Sequence, residues 1–145
     1  DMAQIHPNNP IPFDIYKNSI ISWVSVSLPG NSDKVFINQS TFNPVLHFHP
    51  LIFNGHQHTI KYFKEYGFES YDWLFDEYCD KLTQEDNWRR LVYNIADVQK
   101  VINMGRDNLV DIITQNKDSL ERNRNLLIQC KSIERIITKF YETTL

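Results

Sequence analysis

Pro50-Leu51-Ile52-Phe53-Asn54-Gly55-His56-Gln57-His58-Thr59 is the stretch on which the fold turns. Its first half is an unbroken apolar burst closed by glycine, the pattern of a strand covered on both faces, as the strands of a parallel sheet are. From about His58 the period changes. Ile60, Phe63 and Tyr66 recur at helical spacing, and Gly67 follows where a helix commonly stops. Strand, glycine turn, helix and glycine make one βα unit.

Upstream, Ile20 to Leu28 is β-branched and aromatic, partly alternating, and halted by Pro29-Gly30, which predicts a strand. Lys34 to Asn38 reads as a shorter extended run. Ser40 or Thr41 then caps a short helix through Phe48. Residues 1–19 read as an extended leader, because Pro7, Pro10 and Pro12 remove donors and push their predecessors toward extended geometry. Downstream, Phe68 to Tyr71 is another short extended piece, and Asp72 is placed to cap a helix through about Lys81. Three more helices are predicted. The first runs from Thr83 to about Met104 with Trp88, Leu91, Val92, Ile95, Val98 and Ile102 on its core stripe. The second covers Asp107 to Asn116. The third covers Asp118 to Tyr141 and buries Leu126, Leu127, Cys130, Ile133, Ile137 and Phe140.

The 145 residues suit a single domain, with a βα core over 20–82 and C-terminal helices over 83–145. Charge is unevenly placed. Residues 1–60 hold only Asp1, Asp14, Lys17, Asp33 and Lys34, but all five histidines and all six prolines. The net charge of -3 argues against a nucleic-acid groove built on bulk electrostatics. No apolar run approaches the roughly 18 residues that cross a bilayer, so no membrane partner is expected. Cys79 and Cys130 match no metal or redox spacing and read as free thiols of a reducing compartment, which places the chain in the cytoplasm. An Asp before the first Met points to a trimmed start.

His47, His49, His56 and His58 form two His-x-His pairs, a tempting zinc set. The intervening strand separates them by on the order of 20 Å at about 3.3 Å per residue, so no metal and no cofactor is expected. The second pair lies in the turn Gly55-His56-Gln57-His58-Thr59, between a strand's carboxyl end and a helix N-terminus, where anions are held. A histidine there would bond a phosphate or act as a base near its ordinary pKa of about 6.5. The blander reading has Thr59 or His58 capping the helix with the rings facing water. Asp76, Glu77 and Asp80 read either as a carboxylate cluster for acid–base work or as structural acids paired with Arg89 and Arg90. Trp73, Phe75, Tyr78 and Trp88 read as core before they read as a stacking platform.

Gly67-Phe68-Glu69-Ser70-Tyr71 followed by Phe75-Asp76-Glu77-Tyr78-Cys79-Asp80 resembles a pattern of phage-encoded and marine bacterial glycosyltransferase-like proteins, Gly-Phe-x-Thr-Phe and then Asp-Glu-Ser-Tyr-Asp. Asn38-Gln39-Ser40-Thr41-Phe42-Asn43-Pro44 is similar in place and closing proline to that family's Thr-Glu-Lys-Thr-x-Lys-Pro. The resemblance covers Ile20 to Ile95. It implies the C-terminal, nucleotide-binding half of a GT-B enzyme, and hence an α/β fold: a Rossmann-like parallel sheet of few strands covered by helices, with a helical C-terminal part. It further implies a nucleotide-sugar partner, with phosphate near Gly55, His56, His58 and Thr59 and base or ribose near Gln39 and Ser40. A complete GT-B enzyme has two such halves, so the chain reads as a piece of a two-domain protein. Gln39, Ser40 and Asn43 stand where the family has an acid and two lysines, and a diphosphate needs cations or helix N-termini to offset its charge. The alternative is a non-catalytic interaction module that keeps the fold and docks a second domain or protein through the long C-terminal helix.

Overall fold

The computed structural model describes residues 13–25, 39–83 and 86–129. It is a mixed α/β fold, mostly helical. The elements in order are α1 (Phe13–Lys17), β1 (Ser22–Ser25), α2 (Gln39–Leu46), β2 (Leu51–Asn54), α3 (Thr59–Glu65), a 3-10 turn (Glu77–Lys81), α4 (Asn87–Met104), α5 (Arg106–Gln115) and α6 (Lys117–Ile128). The strands pair in parallel with Ser22 opposite Leu51 and Ser25 opposite Asn54. Leu51, Ile52 and Phe53 are all buried, as the apolar burst requires. Phe63 of α3 is fully buried and stacks on Phe68 with ring centroids 4.6 Å apart, and Phe53 packs on it at 5.1 Å. Tyr71, Leu74 and Phe75 complete this aromatic centre, and Val101, Leu109, Leu120 and Leu127 of the last three helices close over it.

The sheet has two strands among the described residues, and one edge shows why it stops at β2. Ser22 N–H donates to the Pro50 carbonyl (3.0 Å), so even-numbered residues of β2 face β1, and by alternation the Phe53 and Gly55 carbonyls point the other way. Asn94 Nδ2 donates to the Phe53 carbonyl (3.1 Å) and Arg90 Nη1 to the Gly55 carbonyl (2.7 Å). Side chains of α4 thus occupy the edge where a third strand would pair. An open edge left unpaired would template aggregation, and covering it with a helix is one of the standard solutions.

Several expectations are corrected. Phe13–Lys17 is helical inside the expected leader 1–19, because proline restricts the residue before it and leaves Phe13 onward free. No helix runs from Asp72 to Lys81. The Asp76 N–H bonds Asp97 Oδ2 (3.0 Å) instead of a carbonyl one turn back, which breaks the ladder, and Asp76 rather than Asp72 then caps the 3-10 turn by accepting from Tyr78 N–H (2.8 Å). Phe68 to Tyr71 joins no sheet. Asn123 of α6 brackets the Glu69 peptide instead, accepting from its N–H (2.7 Å) and donating to its carbonyl (2.8 Å). α4 begins at Asn87, not Thr83, and its core stripe is not the predicted one. Arg90, Asn94, Asp97 and Val101 are buried, while Trp88, Val92, Ile95 and Ile102 face outward. The parts of the predicted elements at 26–28, 34–38 and 130–141, including Cys130, Ile133, Ile137 and Phe140, lie outside the described residues.

Candidate functional site

The Gly55–Thr59 turn follows directly from β2 and leads into α3. Gly55 is required there, since a Cβ would stand 2.8 Å from Thr59 Oγ1. Thr59 is buried, and its hydroxyl donates back to the His56 carbonyl (2.7 Å), so it closes the turn rather than facing a ligand. His56 is buried too. His58 is the exposed member, held in the left-handed region at φ 67°, with its N–H donating to the Asp80 carbonyl (2.9 Å).

The N-terminus of α3 already holds an anion, and that anion belongs to the protein. Asp80 Oδ1 accepts from Ile60 N–H (2.8 Å) and Oδ2 from Lys61 N–H (3.0 Å), satisfying donors that a helix start leaves free. Burial pushes the Asp80 carboxyl up from its ordinary range, and the two backbone N–H groups pull against that. The position expected for a phosphate is therefore filled by a side chain from the 3-10 turn. Signal for this existed in the sequence only as an acid among others, because the pairing spans twenty residues.

The other two acids are also engaged structurally. Asp76 caps its own turn, and Glu77 pairs with Lys64 Nζ at 2.6 Å. The three carboxylates thus serve three different local tasks. Beneath them, the buried Arg90 binds four carbonyls: Cys79 (3.2 Å), Gly55 (2.7 Å), Leu82 (2.5 Å) and Thr83 (3.3 Å). It locks the 3-10 turn to the end of β2, and Cys79, buried beside it, has its thiol pushed up to about 11, chiefly by burial. An open cleft of about 840 Å³ remains outside this lock, lined by His58, Lys61, Lys64, Tyr78, Lys81 and the acids named above.

His47 and His49 lie at the opposite end of β2 from His56 and His58 and do different work. His49 Nε2 donates to the Tyr16 carbonyl (2.9 Å), leaving Nδ1 to accept from the Ser22 hydroxyl (3.0 Å). His47 stacks on the Tyr16 ring at 4.3 Å. Together they fasten α1 to the start of the sheet. Among the described residues no group of three or more His, Cys, Asp or Glu is placed to hold a metal ion. Gln39 and Ser40 open α2, and their side chains lie outside the described residues.

A second surface stands out on α4. Trp88, Ile95, Val92 and Ile102 are 73%, 52%, 47% and 65% exposed. At 100° per residue they share one arc of the helix, and that arc carries no charged side chain over its length. The opposite arc holds Arg90, Asn94 and Asp97, so α4 turns three polar groups inward beside Val101 and leaves four large apolar side chains outside. Sequence reasoning gave Arg90 only as a partner of the acids and missed Asn94, Asp97 and Asn123, because polar residues at helical spacing ordinarily mark a solvated face.

The chain matches no family model, no curated protein and no solved structure. Among the described residues no helix is long and apolar enough to cross a membrane.

Proposed function

We propose that this chain is a non-catalytic protein-interaction module whose docking face is the outward arc of α4. The observation that carries the reading is the face α4 turns inward: two ionisable residues, Arg90 and Asp97, and the polar Asn94 are buried where they hold β2 and the 3-10 turn, and Trp88, Val92, Ile95 and Ile102 are left outside. Contiguous exposed apolar surface of several hundred Å² marks an interaction site. The turn at the end of β2 supports the same reading, since its helix N-terminus is capped by Asp80 and its Thr59 hydroxyl donates to the His56 carbonyl.

The second reading is the donor-side half of a Rossmann-like GT-B glycosyltransferase. The cleft favouring it sits beside the carboxyl end of β2 and offers His58, Lys61 and Lys81 to an anionic ligand. Two measurements separate the readings. Nucleotide sugars and free nucleotides, up to millimolar concentration, are expected to leave the melting temperature unmoved. A ligand at a hundred times its Kd would stabilise the fold by about 2.7 kcal/mol, and such a shift, abolished by Lys61→Ala, would restore the donor reading. Hydroxyl-radical footprinting is expected to find Trp88 protected in undiluted extract of the native source and reactive in dilute purified protein. Equal reactivity in both would sink the module reading.

A further inference from the structure

We propose that the fold holds one ordered water molecule between the 3-10 turn and α4, where it bridges Glu77 to the buried polar side of that helix. The site lies apart from the α4 docking face and does not depend on it. A cavity of about 20 Å³ sits between β2, the 3-10 turn and α4, and Glu77, Cys79, Asn94 and Asp97 are among the residues that line it. Glu77 Oε1 is buried and, among the described residues, makes no hydrogen bond. Its sister oxygen Oε2 accepts from Lys64 Nζ (2.6 Å) at the edge of the cleft. Asn94 commits Nδ2 to the Phe53 carbonyl (3.1 Å) and Asp97 commits Oδ2 to the Asp76 N–H (3.0 Å), which leaves Oδ1 of each to accept. Three acceptors from two elements thus share one small cavity, and a water brings two donors.

Size selects the occupant. One water needs about 10–15 Å³ of such space and a small-molecule ligand roughly 300 Å³ or more, so the cavity admits a water and nothing built of many atoms. Polarity keeps it wet, because cavities that stay dry are apolar throughout, whereas buried waters collect where polar atoms lack partners. Charge argues against a cation in the same place. Lys64 already meets the charge of Glu77, and burial holds the Asp97 carboxyl above its ordinary range. Among the described residues no three of His, Cys, Asp or Glu are placed to hold a metal ion. A neutral donor fits what remains. Arg90 ties the backbone of the 3-10 turn to α4 through the Cys79 carbonyl, and the water ties the Glu77 side chain to the same helix. It thereby sets the carboxylate whose other oxygen holds Lys64 in the cleft.

Two measurements on the full wild-type chain test this. Atomic-resolution crystallography is expected to show one discrete peak of water density, hydrogen-bonded to Glu77 Oε1 and to a side-chain oxygen of Asn94 or Asp97. An empty cavity overturns the proposal. So does a peak that touches only one of the two elements, or a Glu77 whose Oε1 turns out into bulk solvent. Crystals soaked in rubidium chloride separate the competing occupant: anomalous density at the site would make it a monovalent cation and end the water reading. In solution, cross-relaxation from water to the amides of Asp76, Glu77 and Asp97 is expected with opposite signs in NOE and ROE spectra, the mark of a water that stays longer than the protein takes to tumble. Cross-peaks of the same sign, as surface water gives, would count against a bound molecule and refute the bridge.

Discussion

Replacing Arg90 by methionine removes the lock between β2 and the 3-10 turn while keeping most of the side chain's volume. In the native chain the guanidinium, 2% exposed, donates to the carbonyls of Gly55, Cys79, Leu82 and Thr83. Hydrogen bonds to a charged group are each worth about 1.5–3 kcal/mol, and a buried carbonyl left without a donor costs about 1–3 kcal/mol. These contributions overlap, and some of the carbonyls regain water at the border of the cleft, so the expected loss is about 3–5 kcal/mol, the range for breaking a buried charged network. Against a total stability of about 5–15 kcal/mol this is large. With an m-value of about 2 kcal/mol per molar urea, the unfolding midpoint should fall by roughly 2 M. Arg90→Lys keeps the charge but lacks the fork that spans several carbonyls, and should fall between the two. Trp88→Gln, two residues away on the outward arc, should stay within about 0.5 kcal/mol of wild type. A loss below about 1 kcal/mol for Arg90→Met, or a larger one for Trp88→Gln, would refute the assignment of inner and outer faces on which the functional reading depends.

Burial holds the Asp97 carboxyl above its usual range, with the Asp76 N–H and Lys100 pulling it back, so the ionised form costs stability as pH rises through the folded pKa. Asp97→Asn, which still offers an oxygen to the Asp76 N–H, should therefore match or exceed wild-type stability at pH 7. Urea titrations should show that difference shrinking toward pH 3. His49 shows the opposite sign: burial lowers its pKa below 6.5, so the unfolded chain takes up its proton first and stability is lost as pH falls through that value. His49→Gln should remove that component of the pH 7 to 5 loss in thermal melts. Gly55→Ala would press a methyl group on Thr59 Oγ1 at 2.8 Å and should cost about 1–3 kcal/mol. Adding Thr59→Ala should be less costly than the sum of the two single changes, a coupling readable in a double-mutant cycle.

The sequence by itself determined the βα unit. Leu51 to Phe53 read as a buried strand because a short apolar run closed by a glycine turn is too brief for a helix, and Phe63 read as an inward position because helical periodicity is a local property. The helices after residue 83 were likewise legible, to within a few residues at their starts. Tertiary structure decided the rest. Asp80 lies twenty residues from the helix it caps, and Asn123 lies 54 positions from the Glu69 peptide it brackets, distances over which no local pattern carries information. α4 shows the cause most clearly: its sequence holds one broad apolar arc, running from Val101 through Val98 and Leu91 to Ile102, Ile95 and Trp88, beside a polar arc of Arg90, Asn94 and Asp97. Which arc turns inward depended on the exposed carbonyls of β2 and the 3-10 turn. Their demand for donors drew Arg90 and Asn94 into the protein and left the tryptophan outside.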